Sequence, residues 1–207
     1  RVAKIVAATQ EMLIKRGYEG ITIREIAATA SIKSASIYRY FPNKQAILWE
    51  LAEVFISAQT HAINQCVEAC VLKVPWRAII ASYLEGLRKT QVQEAWIAPA
   101  QLAFRADPQL KEPHEHMLQL FNDRFHILLR SMGMTTEPTR STRIAKMLVL
   151  CLDAYMLAIG RAPLETHPTL QEDFQELIES FLAPHIDSKE TITEHAIVAS
   201  DQLNIVD

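Results

Sequence analysis

Cysteine is scarce and odd in number: Cys66, Cys70 and Cys151 are the only three, and no two make a CxxC pair. That pattern argues against a disulfide framework and against a zinc knuckle. Cys66 and Cys70 stand four apart, on one face if helical, but no matching histidines accompany them, so they read as small core residues. Glycine is also sparse, with five residues, and the chain has no Gly-rich phosphate loop, no GxSxG, no HExxH and no convincing pair of carboxylates. The common nucleotide-binding, hydrolase and zinc-protease readings are thereby removed, and the chain is expected to be neither an enzyme nor a cofactor carrier. Long apolar runs are missing too. The longest, Met147 to Gly160, is 14 residues and contains Asp153, whereas a bilayer span needs about 20. With no signal peptide visible, a cytoplasmic chain without a membrane partner is expected. Strand-type alternation is absent throughout. What remains is a composition of 49% apolar and 22% charged residues, that of an all-α globular protein.

The most informative stretch is Ile21 to Lys44. Thr22 can cap a helix whose third residue is Glu25, a capping box, and Ile23, Ile26, Ala27 and Ala30 then recur along one face. Ser31, Ile32 and Lys33 form a tight connector. A second helix of about two turns is expected from Ser34, with Ile37 and Phe41 turned inward and Ala35, Ser36, Tyr38 and Arg39 on the opposite arc. Small residues let a helix approach DNA closely, hydroxyls can donate to phosphates, and an Arg can bond phosphate or two guanine acceptors. Pro42 stops the helix, Asn43 can cap the next, and Lys44 is left at its start. A helix ahead of this pair, with Ile5, Val6, Met12 and Leu13 on one side and a stop at Arg16-Gly17, completes a three-helix unit.

Charge divides the chain in the same place. Residues 1–44 hold eight Lys or Arg against three Asp or Glu, a net of +5, and the remainder holds thirteen against twenty-one, a net of −8. A basic head on an acidic body suits a duplex-binding module attached to a protein-facing domain, because affinity for DNA is dominated by phosphate neutralisation.

The run from Lys4 to Leu51 resembles the N-terminal domain of the TetR (tetracycline-repressor-like) transcriptional regulators. Gly17-Tyr18, Thr22, Ile26-Ala27, Ile32, Ser36-Ile37-Tyr38, Tyr40-Phe41 and Lys44 carry the resemblance, which covers about a quarter of the chain. It implies that Thr22, Ser36, Tyr38, Tyr40 and Lys44 contact phosphates while Ser34, Ala35 and Arg39 face base edges of a double-stranded operator. Two departures stand out. Ser31 occupies a turn position where the family most often has Gly. The family's usual Lys-Gly at the start of the recognition helix is here Ser34-Ala35, with the lysine displaced to Lys33, so an operator cannot be carried over from relatives. If position 31 needs a positive φ, the strain is of the order of 1 kcal/mol.

Beyond Asn43 the chain reads as successive helices: Lys44 towards Val71, Trp76 to Thr90, a short one around Trp96 to Phe104 that Pro99 should kink or end, one from Asp107-Pro108 to Met132-Gly133, one from Pro138, and one near Thr169 to Ala183. Three segments are expected: a DNA-binding head over 1–44, a ligand-binding and dimerisation body over 45–185, and an acidic tail over 186–207 that is either a loose extension or one more helix. The helix from Pro138 is apolar nearly all round and must be covered on both sides. Either it completes the monomer core, or Leu148 and Leu152 join Phe174, Ile178 and Phe181 of the last helix in a four-helix dimer interface, which is how the resembling family forms homodimers.

The resemblance also implies an effector pocket for a small molecule in the middle helices. Candidate lining residues are Trp76, Tyr83, Trp96, Gln101, Phe104, His114, Phe121, Phe125, Tyr155 and Met156, a mostly apolar set with a few polar handles. His114 and His116 flank Glu115 but point apart on a helix, so no metal site is expected there. The expected function is a repressor released from a palindromic operator by its effector. Its rivals are a ligand-independent DNA binder and a helical binding or dimerisation protein without operator specificity.

Overall fold

The computed structural model describes residues 1–187, and among them the regular structure is helical, with one isolated antiparallel bridge between Met134 and Ile186. The expected tail over 186–207 lies outside the described residues apart from Ile186 and Asp187.

Helix α1, Val2–Arg16, buries Ile5, Ala8, Thr9, Met12 and Leu13 and ends at Gly17, whose φ of 66° suits a residue without a side chain. Helix α2, Ile23–Thr29, starts with the expected capping box: the Glu25 N–H donates to Thr22 Oγ1, and the Thr22 N–H donates to Glu25 Oε2 at 3.0 Å. Helix α3, Ser34–Ile37, is a single turn rather than two. The coil nevertheless continues, since the N–H groups of Tyr40 and Phe41 both donate to the Ile37 carbonyl before Pro42 breaks off. Ile37 and Phe41 are buried, as their spacing requires; burying an Ile of this kind stabilises by about 2 kcal/mol.

Helix α4, Lys44–Val71, is followed by α5, Trp76–Gln93, α6, Ile97–Ala106, α7, Lys111–Ser131, α8, Pro138–Ile159, and α9, His167–Leu182. Pro99 neither kinks nor ends α6. It sits in the first turn, where its missing N–H has no intrahelical partner to lose. Asp107-Pro108 opens a short 3₁₀ turn, Pro108–Leu110, that leads into α7.

Three connections close with one hydrogen-bond pattern. After α2 the N–H of Ser31 donates to Ala28 O and that of Ile32 to Ala27 O; after α4, Lys73 bonds Cys70 and Val74 bonds Ala69; after α7, Gly133 bonds Arg130 and Met134 bonds Leu129. This is the Schellman closure, which places its pivot residue at positive φ. The pivots are Ser31 at 55°, Lys73 at 60° and Gly133 at 90°, so only one of the three is glycine.

Two compact units result, the first from 1–57 with 91–117, the second from 58–90 with the chain from 118 on. Residues 1–44 lie wholly in the first unit, which also takes in 45–57 and 91–117 of the expected body. Within that unit Asp107 bonds both Tyr18 and Gln45.

Candidate nucleic-acid interface

Ile37 and Phe41 pin α3 from inside, and this pinning leaves the opposite arc outward. Tyr38 is 57% and Tyr40 47% exposed, and Lys33, Ala35 and Arg39 are exposed, with Ser34 and Ser36 half-buried. An exposed tyrosine gains nothing from packing but offers a phenolic donor on a rigid stem. Tyr40, whose helical angle lies near the inner face, points to solvent because the chain tightens after Ile37.

Thr22 is exposed, but its hydroxyl is already engaged: it donates to Glu25 Oε2 at 2.8 Å and accepts from the Glu25 N–H. The Thr22 hydrogen bond, with help from Arg16, whose guanidinium reaches Glu25 Oε1 at 2.7 Å, holds the Glu25 carboxyl below the usual carboxylate range.

Lys44, the first residue of α4, is half-buried. Its ammonium donates to the Tyr18 carbonyl at 3.4 Å and stands 4.0 Å above the Tyr18 ring. The ring is fixed in turn, because the Tyr18 hydroxyl donates to Asp107 Oδ2 at 2.6 Å. Gln45 Nε2 donates to the same oxygen at 2.8 Å, and the Gln109 N–H donates to Oδ1. These bonds, that from Tyr18 foremost, hold the Asp107 carboxyl low, and burial together with the bond to Asp107 pushes the Tyr18 phenol up. Both ends of this connection belong to visible motifs, Gly17-Tyr18 and Asp107-Pro108. Their meeting across 89 residues is not legible in either, and Asp107 and Gln45 were missed as part of the site.

The residues expected at an effector pocket fall into both units: Trp96, Gln101, Phe104 and His114 in the first, and Trp76, Tyr83, Phe121, Phe125, Tyr155 and Met156 in the second. In the first, the Phe104 ring stands 6.1 Å from His114 and 6.4 Å from Trp49, and Trp49 lies 6.5 Å from His116. In the second, Tyr83 meets Phe125 edge to face at 5.5 Å and donates its hydroxyl to Gln59 Oε1 at 3.1 Å. Tyr83 also borders a cleft of about 480 Å³ between α4 and α5. Gln59, Ala62, Cys66, Ile79 and Leu87 line it, with Glu85 and Lys89 paired 3.4 Å apart on its border. Burial pushes the Cys66 thiol up to about 11, so it enters the cleft as a neutral group. The α4 contributions were missed because small and amide residues carry no signal of their own at a helix face.

The expected interface residues do not share one exposed face. Leu148, Leu152 and Ile178 are buried within the chain itself, and Phe174 is stacked on Tyr155 at 4.3 Å. They fill the inner side of α8 and α9, whose packing the apolar stripe serves. The outer side carries Met147, Leu150 and Leu177, between 48% and 57% exposed.

Residues 5–51 match the family model for bacterial regulatory proteins of the tetR family. An uncharacterised HTH-type transcriptional regulator, YvkB of Bacillus subtilis, is 40% identical over 62 residues, which cover 30% of this chain and 33% of that protein. The HTH-type transcriptional regulator EthR of Mycolicibacterium smegmatis is 26% identical over 119 residues, 58% of this chain and 54% of that one. The chain thus aligns with about a third and about half of the length of these curated relatives. Among solved structures, a Rhodococcus transcriptional regulator matches with a TM-score of 0.67 at 17% identity, over 89% of this chain and 97% of the other. A TetR-family regulator from Streptomyces coelicolor matches at 0.63 and 17%, over 89% and 99%. FadR of Thermus thermophilus, a TetR-family repressor solved with lauroyl-CoA, matches at 0.64 and 16%, over 93% and 99%. At such identities the structural likeness is one of fold. Joined to the match over residues 5–51, it leads to one assignment: that segment is a domain of the tetR family of bacterial regulatory proteins, and the chain shares the fold of solved TetR-family regulators.

Proposed function

We propose that this protein is a transcriptional repressor, not an enzyme, that binds a near-palindromic operator as a homodimer and lets go when a small, largely apolar molecule occupies its second unit. The observation that carries this reading is the pinned α3, whose buried Ile37 and Phe41 present Ala35, Tyr38, Arg39 and Tyr40 to solvent. Lys33, Ser34, Ala35 and Arg39 would face base edges, while Ser36, Tyr38, Tyr40 and Lys44 would hold phosphates; Thr22 would join them only by turning its hydroxyl away from Glu25. The net charge of +5 on residues 1–44 supplies the sequence-independent part of the affinity.

Dimerisation has a functional purpose. Two recognition helices held about 34 to 36 Å apart enter successive major grooves on one face of the duplex. Met147, Leu150 and Leu177 supply the apolar outer side of α8 and α9 for it, with Phe174 and Phe181 half-buried beside them. The α4–α5 cleft is of the size of a ligand site, and its mixture of apolar walls with the Gln59 amide and the Cys66 thiol suits a largely apolar guest, the Glu85 carboxylate on its border being already paired with Arg88 and Lys89. A ligand-dependent difference of about 1 to 3 kcal/mol between two head separations, some 5- to 150-fold in affinity, is enough to act as a switch.

The test is selection of bound duplexes from a random DNA pool, read with the salt dependence of binding. A two-fold symmetric motif with a steep salt slope supports a dimeric regulator. A pool without enrichment and a shallow slope would replace it by a helical binding protein. A symmetric motif whose affinity no small molecule alters would leave a ligand-independent DNA binder.

A further inference from the structure

We infer that Asp107, a residue outside the helix-turn-helix, is a positioning residue for DNA binding, acting on the operator backbone through Tyr18 and Lys44. The inference rests on the reading of the first unit as a duplex-binding head. Its evidence is the chain of contacts converging on one carboxylate. Asp107 Oδ2 accepts from the Tyr18 hydroxyl at 2.6 Å and from Gln45 Nε2 at 2.8 Å, and Oδ1 accepts from the Gln109 N–H at 2.9 Å. One side chain therefore ties together the α1–α2 turn, the first turn of α4 and the end of α6.

The same tie shapes Lys44. A lysine at a helix start is a flexible point charge, free to sample many rotamers before it meets a phosphate. Here its ammonium lies against the Tyr18 carbonyl and over the Tyr18 ring, and that ring is tethered by the bond to Asp107. Tyr18 is 7% exposed, and its hydroxyl is oriented by the bond to Asp107. Ordering the ammonium beforehand spares that ordering cost when DNA binds.

Charge alone points the other way. Asp107 is an anion close enough to Lys44 for the lysine to help hold its carboxyl low. Removing that anion would raise the local positive potential and tighten DNA binding if electrostatics were its whole role. Positioning predicts weaker binding, so the two roles differ in sign.

The experiment uses the full-length chain and two duplexes, the selected operator and a random sequence of equal length, titrated over a range of salt. The variants are Lys44→Ala, Tyr18→Phe, Asp107→Ala, Asp107→Asn and the double variant Lys44→Ala/Asp107→Ala. Asp107→Ala should weaken both duplexes alike, on the order of tenfold. Its log–log salt slope should fall by about 1, as for Lys44→Ala. The double variant should lose no more than Lys44→Ala alone, since both remove one contact. Asp107→Asn, equally uncharged but keeping an oxygen acceptor for the Tyr18 hydroxyl, should recover much of the loss, and Tyr18→Phe should reproduce it. Melting temperatures separate this from general loosening, because a merely structural role would lower them in step with affinity while leaving the salt slope intact. Weakening by Lys44→Ala with wild-type binding by Asp107→Ala overturns the inference and leaves the head reading standing. So does tighter binding by Asp107→Ala, or an additive loss in the double variant. If Lys44→Ala itself changes neither affinity nor slope, the placement of Lys44 on the operator fails first, and the inference with it.

Discussion

Replacing Ser31 by glycine should stabilise this protein, although no contact is added. Ser31 is exposed and holds φ at 55° as the pivot of the Schellman closure after α2. A residue with a Cβ in that region strains against its own carbonyl by about 1 to 2 kcal/mol. Glycine removes this strain but returns about 0.5 to 1 kcal/mol through its freer unfolded chain. The net is a gain of about 0.5 to 1 kcal/mol, or a melting temperature higher by about 1 to 4 °C for a chain of this length. Thermal unfolding followed by helical circular dichroism, at one protein concentration because a dimer melts concentration-dependently, would resolve it. Side-chain type should order the series: Ser31→Gly above Ser31→Asn, Asn being the side chain that best tolerates this region, then wild type, with β-branched Ser31→Val lowest. Lys73, at 60° in the equivalent closure after α4, supplies an internal repeat, and Lys73→Gly should behave in the same way. A fall in melting temperature for both glycine variants, or Ser31→Val melting with wild type, would refute the strain argument.

Other outcomes follow from the same geometry. Tyr38→Phe should weaken binding to every duplex several-fold by removing one phosphate donor, whereas Arg39→Ala should shift the preferred base at one position of each half-site; a loss uniform over sequences would make Arg39 a phosphate contact. Leu150→Glu, a charge on the outer side of α8, should give a folded monomer by sedimentation with operator affinity down at least tenfold, while Leu148→Glu should instead unfold the chain, its site being 1% exposed; a Leu150→Glu variant that remains dimeric moves the interface elsewhere. The Glu25 carboxyl sits below its ordinary value of 4.5 in the folded state, so its contribution is present above that pH and is lost as pH falls through the lowered value. Glu25→Gln should accordingly melt lower at pH 7 and show a smaller further loss between pH 5 and pH 3, and equal acid sensitivity in the two proteins would show that Glu25 does not report this linkage.

How far the sequence reaches can be judged at particular residues. The capping box at Thr22 and Glu25, the buried pair Ile37 and Phe41, and the stop at Gly17 were legible because each is a local rule acting within one or two helical turns. Residue 31 was legible as a question, since a turn position that relatives fill with glycine invites a positive φ, and the hydrogen bonds of Ser31 and Ile32 answer it. Pro99 shows how narrow the margin is: two residues later in α6 it would have broken the helix, and at the observed position it only marks the start.

What the sequence by itself determined is therefore the helical composition, the helix-turn-helix and the basic head, all of which depend on periodicity, capping and charge along the chain. The tertiary structure alone decided which apolar side of α8 and α9 faces inward, so that Leu148, Leu152 and Ile178 are core while Met147, Leu150 and Leu177 are left outside. A helix apolar all round has no pattern from which to choose. It alone also brought Asp107 to Tyr18, Gln45 and the neighbourhood of Lys44, because a hydrogen bond across 89 residues depends on where two segments are delivered by everything packed between them.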